Sequence, residues 1–105
     1  MSDAFTRLAD VIETRKGADP ASSWTARLLS EGPERCARKF GEEAVEAVIE
    51  GVLGDAAALT AEAADVVYHL MVLLASRGIS WGAVEAELAR REGVSGVAEK
   101  AARGR

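Results

Sequence analysis

Cross-links, kinks and rings are scarce in this sequence. It has one cysteine, two prolines and one histidine, and aromatics make up 5% of it. A lone cysteine, Cys36, excludes an intrachain disulfide and fits a reducing cytoplasm. No histidine stands near it in sequence, so it reads as a small helix residue rather than a nucleophile. Few rings, few prolines and abundant alanine argue against a sandwich or a disordered tail and for an all-helical, soluble, ordered chain. No excess of basic charge is present either: 13 Lys and Arg face 17 Asp and Glu, for a net −4. That excludes a generic nucleic-acid binder, whose affinity rests on a basic surface. No basic-then-apolar segment follows Met1, so no signal peptide is expected. The longest apolar run, Val66 to Ala75, is interrupted by His69. It is far shorter than the ~20 residues a bilayer span needs, so no membrane contact is expected. At 105 residues, without repeat or linker, residues 1–105 form one expected domain.

What the sequence does have is acid at regular spacing. Residues 39–65 form two helix-like halves about Gly51 and Gly54, carrying Glu43-x-x-Glu46 and Glu62-x-x-Asp65. Glu46 and Glu62 each lie eight residues from Gly54, and Glu43 and Asp65 each lie eleven. If two antiparallel helices meet at that glycine, a rise of about 1.5 Å per residue sets the four carboxylates at matching heights. The i,i+3 spacing keeps both acids of a pair on one helix face. Converging carboxylates repel, so a hard divalent cation is the natural occupant.

Around this pair the pattern is helical throughout. Phe5, Leu8, Ala9 and Ile12 form the stripe of a first helix over 3–15, with Asp3 as its cap. Gly17 to Pro20 turns the chain, and Ser22 or Ser23 starts a short second helix through Trp24, Leu28 and Leu29. Pro33 suits the first turn of a third helix running to about Val52. Glu43, Glu46 and Glu50 share one side of it with Lys39. Phe40, Ala44, Val48 and Val52, widened by Val45 and Ile49, are expected to face the core. The fourth helix, about 55–77, is apolar nearly all round. Its polar exceptions Glu62, Asp65 and His69 lie on one narrow stripe. Carboxylates on a buried helix are costly unless paired or bound to metal. Burying so apolar a helix in so small a domain calls for a second subunit, most simply in a homodimer. Gly78 ends this helix and Ser80 caps a fifth through Val84, Leu88 and Arg91. Two forms stand open for the stretch from Gly93 to Arg103, a short helix or a mobile tail. The expected architecture is thus an all-α bundle with a central antiparallel helix pair, completed by homodimerisation.

These residues carry a resemblance. The ExxE…ExxD pattern is similar to that of the all-alpha, MazG-type nucleotide pyrophosphatases. Arg38-Lys39-Phe40-Gly41-Glu42-Glu43, with Ala64-Asp65-Val66-Val67-Tyr68-His69-Leu70, closely resembles the phosphoribosyl-ATP pyrophosphatase family of histidine biosynthesis. Ser23-Trp24-Thr25 and the Ser95 to Lys100 tail extend the likeness over most of the chain, with Trp24 standing where Tyr is more usual. One Cys and one His cannot supply the metal ligands of the cyclohydrolase to which this family is sometimes fused, which implies a stand-alone pyrophosphatase.

The resemblance implies hydrolysis of phosphoribosyl-ATP to phosphoribosyl-AMP and pyrophosphate. Charge building on the leaving pyrophosphate calls for Mg²⁺, with Glu43, Glu46, Glu62 and Asp65 as its expected ligands. Glu42 lies about 100° round from Glu43, so it either holds a metal-bound water or acts as the base. The proton acceptor stays open between these carboxylates. Glu50 reads as a solvated surface acid. Arg35, Arg38 and Lys39 precede the acids by one to two turns and are candidate phosphate ligands. Lys39, on the acid face, is the first choice. His69 has two readings, a hydrogen-bonded core residue or a partner that orients Asp65. Tyr68 and Trp24 read as core or dimer contacts, with stacking on adenine an alternative for Trp24. Lys100 and Arg103 either close over the polyphosphate or lie in a disordered tail. Two other functions remain in view: a house-cleaning (deoxy)nucleoside triphosphate pyrophosphatase of the same fold, or a non-catalytic helical interaction module.

Overall fold

The protein's structure, a computed structural model, describes residues 3–93 together with Gly96, Lys100, Ala101 and Arg103. Five helices and no strand occur among the elements described: α1 (Ala4–Thr14), α2 (Trp24–Glu31), α3 (Pro33–Leu53), α4 (Ala56–Ser76) and α5 (Trp81–Arg90). Side-chain oxygens cap four of them. Asp3 accepts from the Thr6 amide at 2.8 Å, Ser23 from Ala26 at 3.2 Å, Asp55 from Ala58 at 2.8 Å and Ser80 from Ala83 at 3.1 Å. Each bond satisfies an amide that the first turn leaves without a partner. The expectation about residues 93–103 as a whole, and the Ser95 part of the family likeness, lie outside the described residues.

Glycines make the two sharp joints that bracket α3. Gly32 has φ 93° and ψ 174°, backbone that only glycine adopts comfortably. There it serves both neighbours: its amide donates to the Leu29 carbonyl at 3.3 Å, and its carbonyl accepts from Cys36 at 3.1 Å. Pro33 then starts α3 where a missing N–H costs nothing. At the far end, a Cβ built on Gly54 would stand 2.9 Å from the Glu50 carbonyl oxygen, closer than backbone tolerates. The short turn lets α4 return antiparallel to α3, and this pair makes the most extensive helix packing in the molecule.

One core cluster holds Ile12, Leu28, Cys36, Met71, Val72 and Ala75, with Leu8, Val67, Tyr68 and Trp81 packed around it. The Cys36 thiol donates to the Leu28 carbonyl at 3.3 Å, and burial pushes its pKa up, so it is a packed thiol rather than a nucleophile. The core therefore gathers where α3 begins and α4 ends, under α1 and α2. The Gly54 end of the pair projects past it. The radius of gyration is 15.8 Å, against about 13 Å for a compact domain of this size.

That placement corrects two expectations. Phe40 and Ala44 are half-buried, but Val48 is 66% and Val52 78% exposed, and Val45 and Ile49 are exposed beside them. The supposed core face of α3 is covered only at its start: α4 runs along the acid side of the second half, and among the described residues nothing covers its valines. Likewise α4 buries only His69, Met71, Val72 and Ala75, and Leu59 is exposed. α4 is also longer than the apolar run in the sequence suggests, because alanines extend it. By length and composition it is the one helix among those described that could cross a membrane. It carries Glu62 and Asp65, however, and packs against α1, α2 and α3.

An Ala at Gly32 should cost about 1–3 kcal/mol, the usual penalty for a residue held in disallowed backbone. Urea denaturation of Gly32→Ala measures this. A loss near zero would mean that the α2–α3 joint relaxes freely.

Candidate active site

The acid stripes of α3 and α4 meet across the helix pair. Glu43, Glu62 and Asp65 each offer a carboxylate oxygen within 4.8 Å of the other two. The antiparallel register brings this about, since Glu43 and Asp65 stand equally far from Gly54 along their helices. Glu46 lies beside the trio rather than within it. Contact with the Glu43 carboxyl, then the charges of Glu43 and Glu62, raise its pKa above the usual carboxylate range. Glu62 is raised too, first by burial, then by the charges of Asp65, Glu43 and Glu50, although contact with Glu46 works the other way. Glu50, read from sequence as a solvated surface acid, thus acts electrostatically on the cluster. Its position one turn beyond Glu46 was the available signal.

One atom decides what the cluster is suited to hold. Glu62 Oε2 is shut off from solvent and has no hydrogen-bond partner among the described residues. A buried, unpaired carboxylate oxygen is costly, and a cation is the partner that would satisfy it. Three carboxylate oxygens within 4.8 Å of one another would be able to hold a single hard cation. All donors are hard oxygens, which fits a hard divalent cation and not a thiolate or imidazole site.

Lys39 borders the acids, with its ammonium 3.5 Å from both Glu42 and Glu43. Glu42 is largely exposed, whereas the Glu43 side chain is 13% exposed. Arg35 is engaged with Glu31 at 3.4 Å, and Arg38 is exposed on the same helix without an ion pair among the described residues. His69 meets Asp65 through the backbone: Nδ1–H donates to the Asp65 carbonyl at 2.9 Å, not to its carboxylate. That tautomer leaves Nε2 as an acceptor, and it is buried without a partner among the described residues. The ring packs edge-on against Tyr68, at 4.8 Å between centroids. Trp24 is 43% exposed and so is no core residue. A cavity of about 260 Å³ lies elsewhere, lined by Ile12, Met71, Leu74, Ala75 and Trp81, with none of the clustered acids. The acid site itself is an open face.

The sequence matches a known family. Residues 5–92 match the family model described as phosphoribosyl-ATP pyrophosphohydrolase. The chain belongs to the phosphoribosyl-ATP pyrophosphohydrolase family. A Cereibacter sphaeroides protein named phosphoribosyl-ATP pyrophosphatase is 67% identical over 98 residues, covering 93% of this chain and 95% of the relative. Relatives of the same name from Dinoroseobacter shibae and Rhodobacter capsulatus are 66% and 64% identical. They cover 94% and 96% of this chain, and 97% and 98% of their own lengths. The acid stripes and the Ser23-Trp24-Thr25 segment lie inside the matched region, and the Ser95 to Lys100 segment lies beyond it.

Carboxyls whose pKa rises on folding weaken the fold when ionised. The folded chain then holds more protons than the unfolded one, so stability falls as pH rises through the raised values. Metal-free protein should therefore gain thermal stability as pH drops from neutral towards the ordinary carboxylate range. Glu87 does not mask this between neutrality and the ordinary carboxylate range: Arg90 and Arg91 hold its pKa down to about 2, so its contribution is lost as pH falls from that range towards about 2. Without metal, Glu62→Gln should melt above wild type at neutral pH and show a weaker pH response. Scanning calorimetry in EDTA is the measurement, and a lower melting point for Glu62→Gln would contradict the repulsion described here.

Proposed function

We propose that this chain hydrolyses phosphoribosyl-ATP at the α–β phosphoanhydride, giving phosphoribosyl-AMP and pyrophosphate in histidine biosynthesis. The observation that carries this reading is the facing trio of Glu43, Glu62 and Asp65 with its unsatisfied Glu62 oxygen, in a chain two-thirds identical to proteins of that name. Mg²⁺ is the proposed cofactor, with Glu43, Glu46, Glu62 and Asp65 as its ligands. When bound, it supplies neutralisation of the charge on the phosphate oxygens.

The chain's own residues account for the remaining steps. Lys39, tethered loosely at 3.5 Å to two carboxylates, is free to swing onto the polyphosphate as a point charge. Arg38, and Arg35 once released from Glu31, add charge along the same side of α3. Glu42 sits at the exposed edge of the cluster and takes a proton from the attacking water; Glu43 orients that water from beside it. The water oxygen bonds to the α-phosphorus as the bond to the bridging oxygen breaks, and the electron pair leaves with pyrophosphate. His69 donates to the Asp65 carbonyl one turn back on the same helix, which fixes its own ring beside the acid stripe.

The apolar stripe of α3 gives the proposed quaternary structure. Val45, Val48, Ile49 and Val52 follow i, i+3, i+4, i+7 spacing and stand 48% to 78% exposed. A continuous exposed stripe of this kind is the mark of an interface. A second copy of α3 offers the matching surface in a two-fold dimer. The cytoplasm, where the Cys36 thiol stays reduced, is the proposed location.

Wild type should release pyrophosphate from phosphoribosyl-ATP with Mg²⁺ and not in EDTA, and Asp65→Ala should lose at least about 100-fold in kcat, as removal of a group stabilising transition-state charge does. Full activity in Asp65→Ala would refute the site, and no release by wild type would refute the reaction. Light scattering should give twice the mass of one chain, falling to one for the Val48→Asp, Val52→Asp double variant. A single-chain mass for wild type at micromolar concentration would remove the dimer.

A further inference from the structure

We infer that Trp24 is the platform on which the adenine ring of the substrate stacks, and that it sets substrate affinity rather than turnover. This rests on the phosphoribosyl-ATP reading above. The chain contains no asparagine and no glutamine, the side chains that pair both adenine edge atoms at once. Without those side chains the faces of the base gain weight in its recognition, and stacking on an aromatic ring supplies affinity there.

Five rings are available for this, and Phe40 is half-buried on α3. Phe5 and Trp81 stack on each other, with centroids 5.8 Å apart and planes 24° from parallel, beside the cavity that the acids do not line. The Tyr68 hydroxyl is bonded to Thr25, and its ring packs against His69. Trp24 is different, an indole 43% exposed at the first position of α2. The Arg27 guanidinium, which also pairs with Glu31 at 3.5 Å, lies 5.8 Å from its centroid, a cation–π contact that holds the ring.

The position of Trp24 is fixed relative to the acids. The neighbouring Thr25 hydroxyl bonds the Tyr68 hydroxyl, and Tyr68 follows Asp65 by three residues on α4. The start of α2 is thus fastened to α4 about 5 Å, one helical turn, along from Asp65. Ser23 Oγ, accepting from the Ala26 amide at 3.2 Å, holds the turn that presents the indole.

The test uses the full chain. Trp24→Ala should raise KM for phosphoribosyl-ATP roughly 5- to 150-fold, the range that loss of one base–aromatic stack gives. Its kcat should be unchanged, and Trp24→Tyr should restore most of the affinity. In a Trp81→Phe background Trp24 is the sole tryptophan. Its fluorescence should be quenched by AMP, which has the base, and not by pyrophosphate, which lacks it. An unchanged KM in Trp24→Ala, or equal quenching by both ligands, would overturn the proposal. A change in light-scattering mass for Trp24→Ala would also do so, by making Trp24 a subunit contact. Quenching by AMP does not need turnover. An enzyme inactive on phosphoribosyl-ATP but quenched by AMP would therefore count against the reaction alone.

Discussion

Mutual repulsion of carboxylates across the α3–α4 pair is the constraint around which this small molecule is arranged. The two longest helices are held together near their Pro33 and Ser76 ends by apolar packing. In their middle they bring like charges within 4.8 Å. Apolar burial at one end tolerates the strain at the other, and the raised pKa values of Glu46 and Glu62 record it. An isolated helix pair with these acids would splay. Here α1 and α2 close over the base of the pair, and Gly32 lets α2 and α3 join without a longer loop.

Much of this was legible in the sequence because the signals are local. Asp3, Ser23, Pro33 and Ser80 mark helix starts by what their own atoms do, and the structure has them in those roles. The equal offsets of Glu43 and Asp65 from Gly54 were legible for a similar reason, since helical rise is fixed and the turn is short. What failed to read was anything that depends on who covers a face. Val48 and Val52 have the spacing of core residues, and that spacing is the same whether the cover comes from the same chain or another.

The site was legible at the level of residue types and less so at the level of atoms. Nothing in the spacing separates Glu46, which stands beside the trio, from Glu43, which belongs to it. Side-chain rotamers decide that. Glu50 reads as a surface acid because it lies near the end of α3, but the return of α4 brings Glu62 within reach of its charge. His69 shows the limit most clearly. Its place on the acid stripe is visible from sequence, but whether its ring meets the carboxylate or the carbonyl of Asp65 depends on one torsion.

The off-centre core has a consequence for how the chain breathes. Backbone amides near Cys36 and Val72 are buried with the core and exchange with solvent only when the whole fold opens. Those near Val52 and Leu59 have no such cover, so the turn end can fray while the base stays folded. Glu43 and Asp65 lie between these regimes, on the boundary between a rigid half and a loose one. A ligand gripping both helices there would clamp the loose half as well, and a partner laid along α3 would tighten the ligand's grip by the same factor in return. Hydrogen exchange along α3 would register that coupling residue by residue.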